Sequence, residues 1–511
     1  MTCCSILFKD VNQAAGLGEL GAPACFRDLN LDQVVEAIVA GREEYALEPF
    51  FSAPLRDVDA ITYRHEVFRD LERQPVWDSI MAFARAMLAM REHLAQADKL
   101  YYKYQKESWF LDAVSIYTKA VTGLRAGLTG APIASRGLVA FEEYLSGYVG
   151  STPFASLVGD ANDLQDEFAR IAYCLQIEGD RITVSRHESE TDYAAEVEAT
   201  FQRFRQGDVT DYRAKFSSRP EMNHVEAGIL DRVALLYPDL FRALDSFCDR
   251  HSEYVDQTIA RFDREIQFYA AYMEYMHRFT AAGLAFCYPQ VSDHSKEVSA
   301  CETFDLALAN RLVPQRTLVV CNDFSLQDPE RVVVVTGPNQ GGKSTFARTF
   351  GQLHYLASLG CPVPGKRARL FVFDQLFTHF EREEQLASLR GKLEDDLVRI
   401  HDILTAATSS SIIILNEIFT STTFRDALSL STKVLGRITQ LDCLCVCVTF
   451  LDDLSSLSAT TVSMVSTVAP DDPAVRTYKI VRRPADGRAY AAALAAKYGL
   501  SYARLKERIA R

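Results

Sequence analysis

The chain has 511 residues, of which 48% are hydrophobic and 24% are charged, and its formal net charge at pH 7 is −13. This composition is typical of a globular protein and excludes a largely disordered one. The acidic balance argues against a surface covered with phosphate contacts, but not against a local basic patch, since nucleic-acid binders usually present a basic face. The length predicts about two to four domains.

The first residues, MTCCSILFKDVNQ, lack the basic segment, apolar stretch and cleavage site of a secretory signal. Apolar runs elsewhere have the length of strands, and none approaches a membrane span. We therefore expect a cytoplasmic protein without a membrane partner. The twelve cysteines lack zinc-type spacing and are interpreted as buried free thiols, with Cys443, Cys445 and Cys447 on one face of a strand.

Helical periodicity dominates the chain before residue 300. Ile61, Arg64 and Phe68 recur at helical spacing. Between Val255 and Met276, apolar residues alternate at intervals of four and three, which predicts a long helix with a heptad seam. Its aromatic side chains are interpreted as core and not as a stacking surface for bases or a cofactor.

After residue 300, short β-branched strands alternate with helices, so we place the main domain boundary there. The stretch RVVVVTGPNQGGKSTFARTFGQL holds a buried strand, the spacing Gly337-x-x-x-x-Gly342-Lys343-Ser344 and then a helix, which is the context that a phosphate-binding loop needs. Lys343 is expected to reach the β and γ phosphates and Ser344 to ligate Mg²⁺. The residues expected to bind ATP or GTP are Gly337, Pro338, Asn339, Gln340, Gly341, Gly342, Lys343, Ser344 and Thr345.

The apolar run SIIILNEIF, Ser411 to Phe419, predicts a parallel strand that delivers Asn416 and Glu417 beside that loop. In such enzymes an Asp usually holds Mg²⁺ and the following Glu activates water as general base. Asn416 keeps an oxygen ligand but removes a charge, whereas Glu417 keeps the base. A site that only binds nucleotide is one interpretation. The retained Lys343, Ser344 and Glu417 favour slow hydrolysis, with Glu417 and Lys343 as the catalytic residues.

The loop TGPNQGGKST resembles that of the MutS family of mismatch-repair ATPases, which reads Gly-Pro-Asn-Met-Gly-Gly-Lys-Ser. The segments FDQLFTHFEREEQL, LEDDLVRIHDILTAATSSSIIILNEIFTSTTFRDALSLS and CVTFLDDLSSL continue the resemblance over residues 300 to 511, and PLRDVDAITYRHEVFRDL resembles the start of the family's lever domain. The resemblance implies a multidomain fold, with an all-α, lever-like N-terminal part and an α/β P-loop NTPase domain of ABC/MutS type. It also implies ATP and Mg²⁺ as cofactors, a homodimer, and duplex or branched DNA as partner.

On this basis we expect an N-terminal segment over residues 1–45, a core and lever-like helical domain over 46–300 and a P-loop ATPase domain over 301–485. Residues 486–511 resemble the family's C-terminal helix-turn-helix, for which a dimerisation role is favoured over reading DNA.

Several positions depart from the family. Its trans-acting signature Ser aligns with Gly391, which Lys392 follows, and its switch His aligns with Phe450, while Asn339 and Asp426 match. Gly391, Lys392, Asp426 and Phe450 are therefore the expected trans or switch positions, and Lys392 is expected to place positive charge near the γ phosphate across the dimer.

Two functions stay open. The first is a DNA-associated ATPase of repair or recombination, in which nucleotide controls the dimer and its levers. It would not read mismatches with a wedge, because the chain has no room for the mismatch-reading domain and no N-terminal Phe-x-Glu wedge, and Phe141 in FEEYLSG is helical in pattern. The alternative is a nucleotide-gated protein-interaction clamp with little hydrolysis and no direct DNA binding. A motor or transporter ATPase fits the loop less well.

Overall fold

The structure, a computed structural model, describes residues 4–10, 21–187, 196, 200, 222–381, 391–472, 475–485 and 506. Its α-helices are, in chain order, α1 Cys25–Leu29, α2 Leu31–Val39, α3 Glu48–Ser52, α4 Val58–Leu71, α5 Gln74–Lys99, α6 Lys103–Thr129, α7 Arg136–Val149, α8 Thr152–Ala169, α9 His224–Leu236, α10 Pro238–Arg250, α11 Gln257–Thr280, α12 Leu306–Leu312, α13 Lys343–Ser358, α14 Lys392–Ala406 and α15 Phe424–Leu441.

The strands of the described residues are β1 Tyr173–Glu178, β2 Arg181–Arg186, β3 Phe286–Cys287, β4 Gln290–Ser292, β5 Val298–Thr303, β6 Asn322–Leu326, β7 Val332–Thr336, β8 Val363–Pro364, β9 Arg367–Phe371, β10 Leu376–His379, β11 Ile412–Asn416, β12 Leu444–Val448, β13 Thr461–Val468 and β14 Arg476–Arg482. No helix within the described ranges combines the length and the apolar character that crossing a bilayer requires.

The chain divides into two compact units. One, called the helical unit below, comprises residues 1–4, 70–134 and 138–263; the other, called the sheet unit, comprises residues 5–69, 135–137 and 264–511. This division differs from the boundary near residue 300 that the change of periodicity indicated. The difference has a physical cause, because residues before 70 and after 263 bury polar and aromatic side chains inside the sheet unit.

In the helical unit, α5 and α6 pack against each other along their length, and α6 also contacts α8 and α10. The short hairpin of β1 and β2 pairs antiparallel and contacts α9. Phe141 of α7 is buried and stacks on Phe262 with the two ring centroids 3.7 Å apart. Phe141 is therefore a core residue, in agreement with its helical sequence pattern.

The sheet unit is built on a six-stranded sheet of order β10-β11-β12-β7-β13-β14. All neighbouring pairs are parallel except β13 with β14, which is antiparallel. Every residue of β7, β11 and β12 is buried, as expected for a parallel sheet covered on both faces. Cys443, Cys445 and Cys447 lie together in the core cluster with residues of α14 and α15, which confirms that they share one face.

The opposite face of this sheet packs on α13. A Cβ added at Gly351 of α13 would lie only 2.7 Å from Ile414 Cδ1 of β11, so glycine permits this close approach. Beside the large sheet lie a four-stranded sheet of order β4-β9-β5-β6 and the pair β3-β8. The sheet unit therefore has helices on both faces of its central strands, which is the layered arrangement of α/β folds.

Helices from early in the chain complete the sheet unit. Arg64 of α4 is fully buried, and its guanidinium donates to the carbonyl of Leu7 at 3.0 Å and to that of Leu359 at 2.8 Å. The Tyr355 hydroxyl of α13 donates to the carbonyl of Phe51 at 2.9 Å. Because these donors and acceptors are buried, separating them would leave polar groups without partners, at a cost of about 1–3 kcal/mol each.

Helix α11 has the predicted position but not the predicted seam. The buried apolar positions that the heptad pattern named are Ile259, Phe262, Ile266 and Tyr269. Beyond them Met273 and Met276 are only half-buried, whereas Tyr272 and Tyr275 are buried. Every residue from Glu265 to Tyr272 is buried, so this stretch of α11 is enclosed on all sides and burial there follows no seven-residue repeat. The heptad seam was therefore wrong for the second half of α11.

Candidate functional site

The loop between β7 and α13 has the backbone shape that its glycines predicted. Gly337 has φ of 110° and Gly342 has φ of 91°, values that side-chain-bearing residues rarely adopt. Gly342 is also the N-cap of α13, so the free N–H groups of the first helical turn face the loop. Gln340 has φ of 59° without being glycine, which places local backbone strain inside this loop.

Lys343 folds back over the loop. Its side chain is buried, and Nζ donates to the carbonyls of Gly337 at 3.0 Å and Pro338 at 3.4 Å and to Asn339 Oδ1 at 3.1 Å. The Glu417 Oε1 atom lies 3.9 Å from Nζ. Burial lowers the pKa of Lys343, and the Glu417 carboxylate opposes this shift. The ammonium is thus held between the loop and the end of β11.

Asn416 lies at the same sheet edge as the loop. The register pairs Asn416 with Val448 of β12 and Val448 with Val335 of β7, so Asn416 is two strands, or roughly 10 Å, from the start of the loop. Because strand side chains alternate, Asn416 points to the same face as Ile414, which is the face packed on α13. Asn416 is 9% exposed, and its Oδ1 has no hydrogen-bond partner in the described part of the chain.

Glu417 follows Asn416 directly, and its backbone leaves the extended conformation of β11. Its φ is 54°, and its backbone N–H donates to the Val448 carbonyl at 2.9 Å. The carboxylate side chain is 30% exposed, so water can reach it while Lys343 lies alongside. Left-handed backbone in a non-glycine residue costs on the order of 1 kcal/mol and is concentrated at functional sites.

The hairpin of β13 and β14 braces the loop, a feature that sequence reasoning missed. Ser466 Oγ donates to the Gly341 carbonyl at 2.7 Å, and Arg476 Nε donates to the Asn339 carbonyl at 3.1 Å. A Cβ at Gly341 would lie 2.2 Å from Ser466 Oγ, so the hairpin also fixes which residue fits there. Neither Ser466 nor Arg476 belongs to a recognisable local motif, because both reach the loop only through strand order.

The four expected trans or switch positions lie on other elements. Gly391 is the N-cap of α14, and Lys392, the first residue of that helix, forms an ion pair with Glu381. Asp426 lies in the first turn of α15 and accepts a hydrogen bond from the N-cap threonine hydroxyl at 2.8 Å. Phe450 follows β12 and is 47% exposed. Their roles across a dimer stay predictions, and the expected helix-turn-helix lies outside the described residues apart from residue 506.

Comparison with known proteins identifies relatives of part of the chain. Residues 333–506 match the family model described as MutS domain V. The DNA mismatch repair protein MutS of Chlorobium limicola is 27% identical over 301 residues, which cover 56% of this chain and 32% of that protein. MutS of Thermotoga neapolitana is 28% identical over 245 residues, which cover 47% of this chain and 29% of the relative.

The DNA mismatch repair protein MutS 2 of Halobacterium salinarum is 34% identical over 148 residues, which cover 29% of this chain and 17% of that protein. The chain thus spans about a third or less of the length of these relatives.

Proposed function

Because this chain belongs to the MutS family, we propose that it is a DNA-associated ATPase in which bound nucleotide controls a homodimer and its lever-like helices. The observation that carries the proposal is the convergence of Lys343, Asn416 and Glu417 on one edge of a parallel sheet, beside a glycine loop and a helix N-terminus. The relatives are named for DNA mismatch repair, and a role in DNA repair or recombination is part of the proposal.

The residues present suit a nucleoside triphosphate with Mg²⁺. The backbone N–H groups of residues 337–345 and the positive end of the α13 dipole would hold the phosphates, with Lys343 at the β and γ positions. Ser344 and Asn416 would hold Mg²⁺, which neutralises phosphate charge when bound. The fit is supported by Asn416 Oδ1, a buried oxygen on the α13 face with no hydrogen-bond partner among the residues described.

Glu417 would act as the general base for hydrolysis. Its carboxylate is accessible enough to orient a water molecule, and it lies 3.9 Å from the Lys343 ammonium. Asn416 supplies an amide where a carboxylate would bind a hard cation better, so slow turnover is expected. Glu417→Gln should therefore stop hydrolysis and leave ATP bound.

The charge distribution favours a second candidate function. Residues 70–263 hold 31 Asp or Glu and 21 Lys or Arg, which gives a formal net charge of −10. Residues 264–511 hold 26 Asp or Glu and 28 Lys or Arg, which gives a net charge of +2. An acidic helical unit is repelled by a phosphate backbone. A nucleotide-gated protein-interaction clamp, with little hydrolysis and no direct DNA binding, accounts for this distribution.

One set of measurements tests the proposal. Binding and turnover of ATP are compared in the parent, Lys343→Ala and the control Lys366→Ala, whose lysine is exposed and pairs with Glu302. Only Lys343→Ala should lose them, and unchanged affinity and turnover in that variant would refute the ATPase assignment.

Mobility shifts on duplex and junction DNA over a range of salt then separate the two candidates. Binding that weakens steeply with salt supports the DNA-associated form, because phosphate contacts release counterions. Absence of a shift at low salt, with nucleotide bound, supports the clamp.

A further inference from the structure

Arg476 is the first residue of β14, the outermost strand on one side of the large sheet, and its side chain reaches the phosphate-binding loop. Its Nε donates to the Asn339 carbonyl at 3.1 Å. The side-chain oxygen of the same Asn339 accepts from Lys343 Nζ, also at 3.1 Å. One loop residue therefore holds a guanidinium through its backbone and an ammonium through its side chain.

Bringing these two cations together has an electrostatic cost. Burial is the main cause that lowers the pKa of Lys343, and the Arg476 charge lowers it further, whereas Glu417 and Asp452 act in the opposite direction. Structural bracing of the loop does not require a second cation, because Ser466 already binds the Gly341 carbonyl from the same hairpin with an uncharged hydroxyl. An anion placed between the two cations would attract both of them and offset their mutual repulsion.

The guanidinium suits a phosphate better than other side chains do, because its planar set of N–H donors matches phosphate oxygens and its charge persists when it is partly buried. We propose that Arg476 is a further nucleotide-site residue whose guanidinium binds the terminal phosphate of the nucleotide that this loop holds. The inference rests on the proposed function and extends it. Arg476 would supply a positive charge to the nucleotide site from within the same chain. At two other positions, where the family resemblance implies Ser and His, this chain has Gly391 and Phe450.

Three variants test the assignment. Arg476→Gln removes the charge, Arg476→Lys keeps the charge but replaces the guanidinium, and Arg482→Gln removes the same charge from the far end of β14, where Arg482 pairs with Glu330. Equilibrium binding of Mg·ADP and of a nonhydrolysable Mg·ATP analogue is measured by calorimetry, and melting temperatures without nucleotide report folding. Binding is the readout, so no turnover is needed.

Arg476→Gln should bind the ATP analogue about tenfold or more weakly, as expected for the loss of a charge-assisted hydrogen bond, and should bind ADP within about twofold of the parent. The affinity of Arg476→Lys for the ATP analogue should lie between those of the parent and Arg476→Gln. Arg482→Gln should bind both nucleotides as the parent does. An equal loss for ADP and the analogue would overturn the inference, since Arg476 would then only brace the loop. Unchanged affinity for the analogue would overturn it as well.

If Arg476→Gln does not fold, the ratio of analogue to ADP affinity in Arg476→Lys decides. A severalfold fall supports the phosphate contact, and an unchanged ratio refutes it. Failure of the parent to bind either nucleotide would instead refute the proposed function, so the two failures are distinguishable.

Discussion

Asn416→Asp restores the carboxylate that such strands usually carry. The structure indicates that it lowers the stability of the metal-free protein and raises the affinity of the nucleotide-bound protein for Mg²⁺. Asparagine and aspartate have nearly the same shape, so packing is preserved. Asn416 is 9% exposed, and its Oδ1 meets no hydrogen-bond partner in the described ranges. The parent already carries this unpartnered oxygen, so without metal the substitution adds the cost of a buried negative charge, which is at least the roughly 1–3 kcal/mol of a neutral unsatisfied group. The Lys343 ammonium at the same end of the strands offsets part of this cost, so we expect Asn416→Asp to lower the free energy of unfolding of the metal-free protein by about 1–2 kcal/mol.

With nucleotide bound, the carboxylate should instead bind Mg²⁺ more tightly than the amide does, because this hard cation prefers charged oxygen ligands. Changes in the groups that surround a metal typically alter its affinity about 10- to 100-fold, and we expect the Mg²⁺ requirement of Asn416→Asp to fall within that range. The same substitution thus destabilises the metal-free protein and strengthens the metal-bound one.

The assay combines thermal unfolding in EDTA with a Mg²⁺ titration of the ATP-bound protein, followed by fluorescent nucleotide. Asn162→Asp, which adds the same charge at an exposed position of α8, serves as the control and should change neither quantity. An unchanged Mg²⁺ requirement in Asn416→Asp would show that Asn416 is not beside the metal.

Three further outcomes are expected. Gly341→Ala should weaken nucleotide binding in calorimetry, because its Cβ would lie 2.2 Å from Ser466 Oγ, whereas Gly436→Ala, which has nothing within 4 Å, should bind like the parent; equal affinities would contradict the bracing contact. Burial lowers the pKa of His65 and of His354 to about 4, so the unfolded state binds more protons below pH 6.5 and stability should fall from there toward pH 4, by up to roughly 3 kcal/mol per histidine. Urea unfolding should show a shallower fall in His354→Gln, and an identical fall would refute the assignment. Any duplex binding should discriminate a single mismatch by less than about tenfold, or roughly 1.4 kcal/mol, in competition mobility shifts; a larger ratio would indicate a mismatch-reading element.

Local sequence patterns predicted the parts of the site that are contiguous in the chain. The glycine spacing fixes the loop, since its positive φ angles occur at Gly337 and Gly342, and the apolar run before Asn416 fixes a buried parallel strand. Strand ends of a parallel sheet meet at one edge, so the approach of Glu417 to Lys343 followed from the fold class.

The contributions of Ser466 and Arg476 could not be predicted in this way. Their hydrogen bonds to the loop span 125 and 137 residues of sequence, and they depend on β13 and β14 forming the far edge of the sheet. A single serine or arginine in a short strand has no periodicity or motif to set it apart from a solvent-facing residue.

The buried Arg64 determines where the molecule can be cut. A fragment beginning at residue 301 would contain the whole loop and every strand of the large sheet, yet the Leu359 carbonyl would lose its guanidinium donor and the Tyr355 hydroxyl would lose the Phe51 carbonyl. Water would then replace these partners, and the aromatic surface around them would lose its cover and face water. Expression of the nucleotide-binding part alone therefore requires residues 264–300 and residues 5–69 as well, the latter either joined to it or added as a separate peptide that reassembles with it.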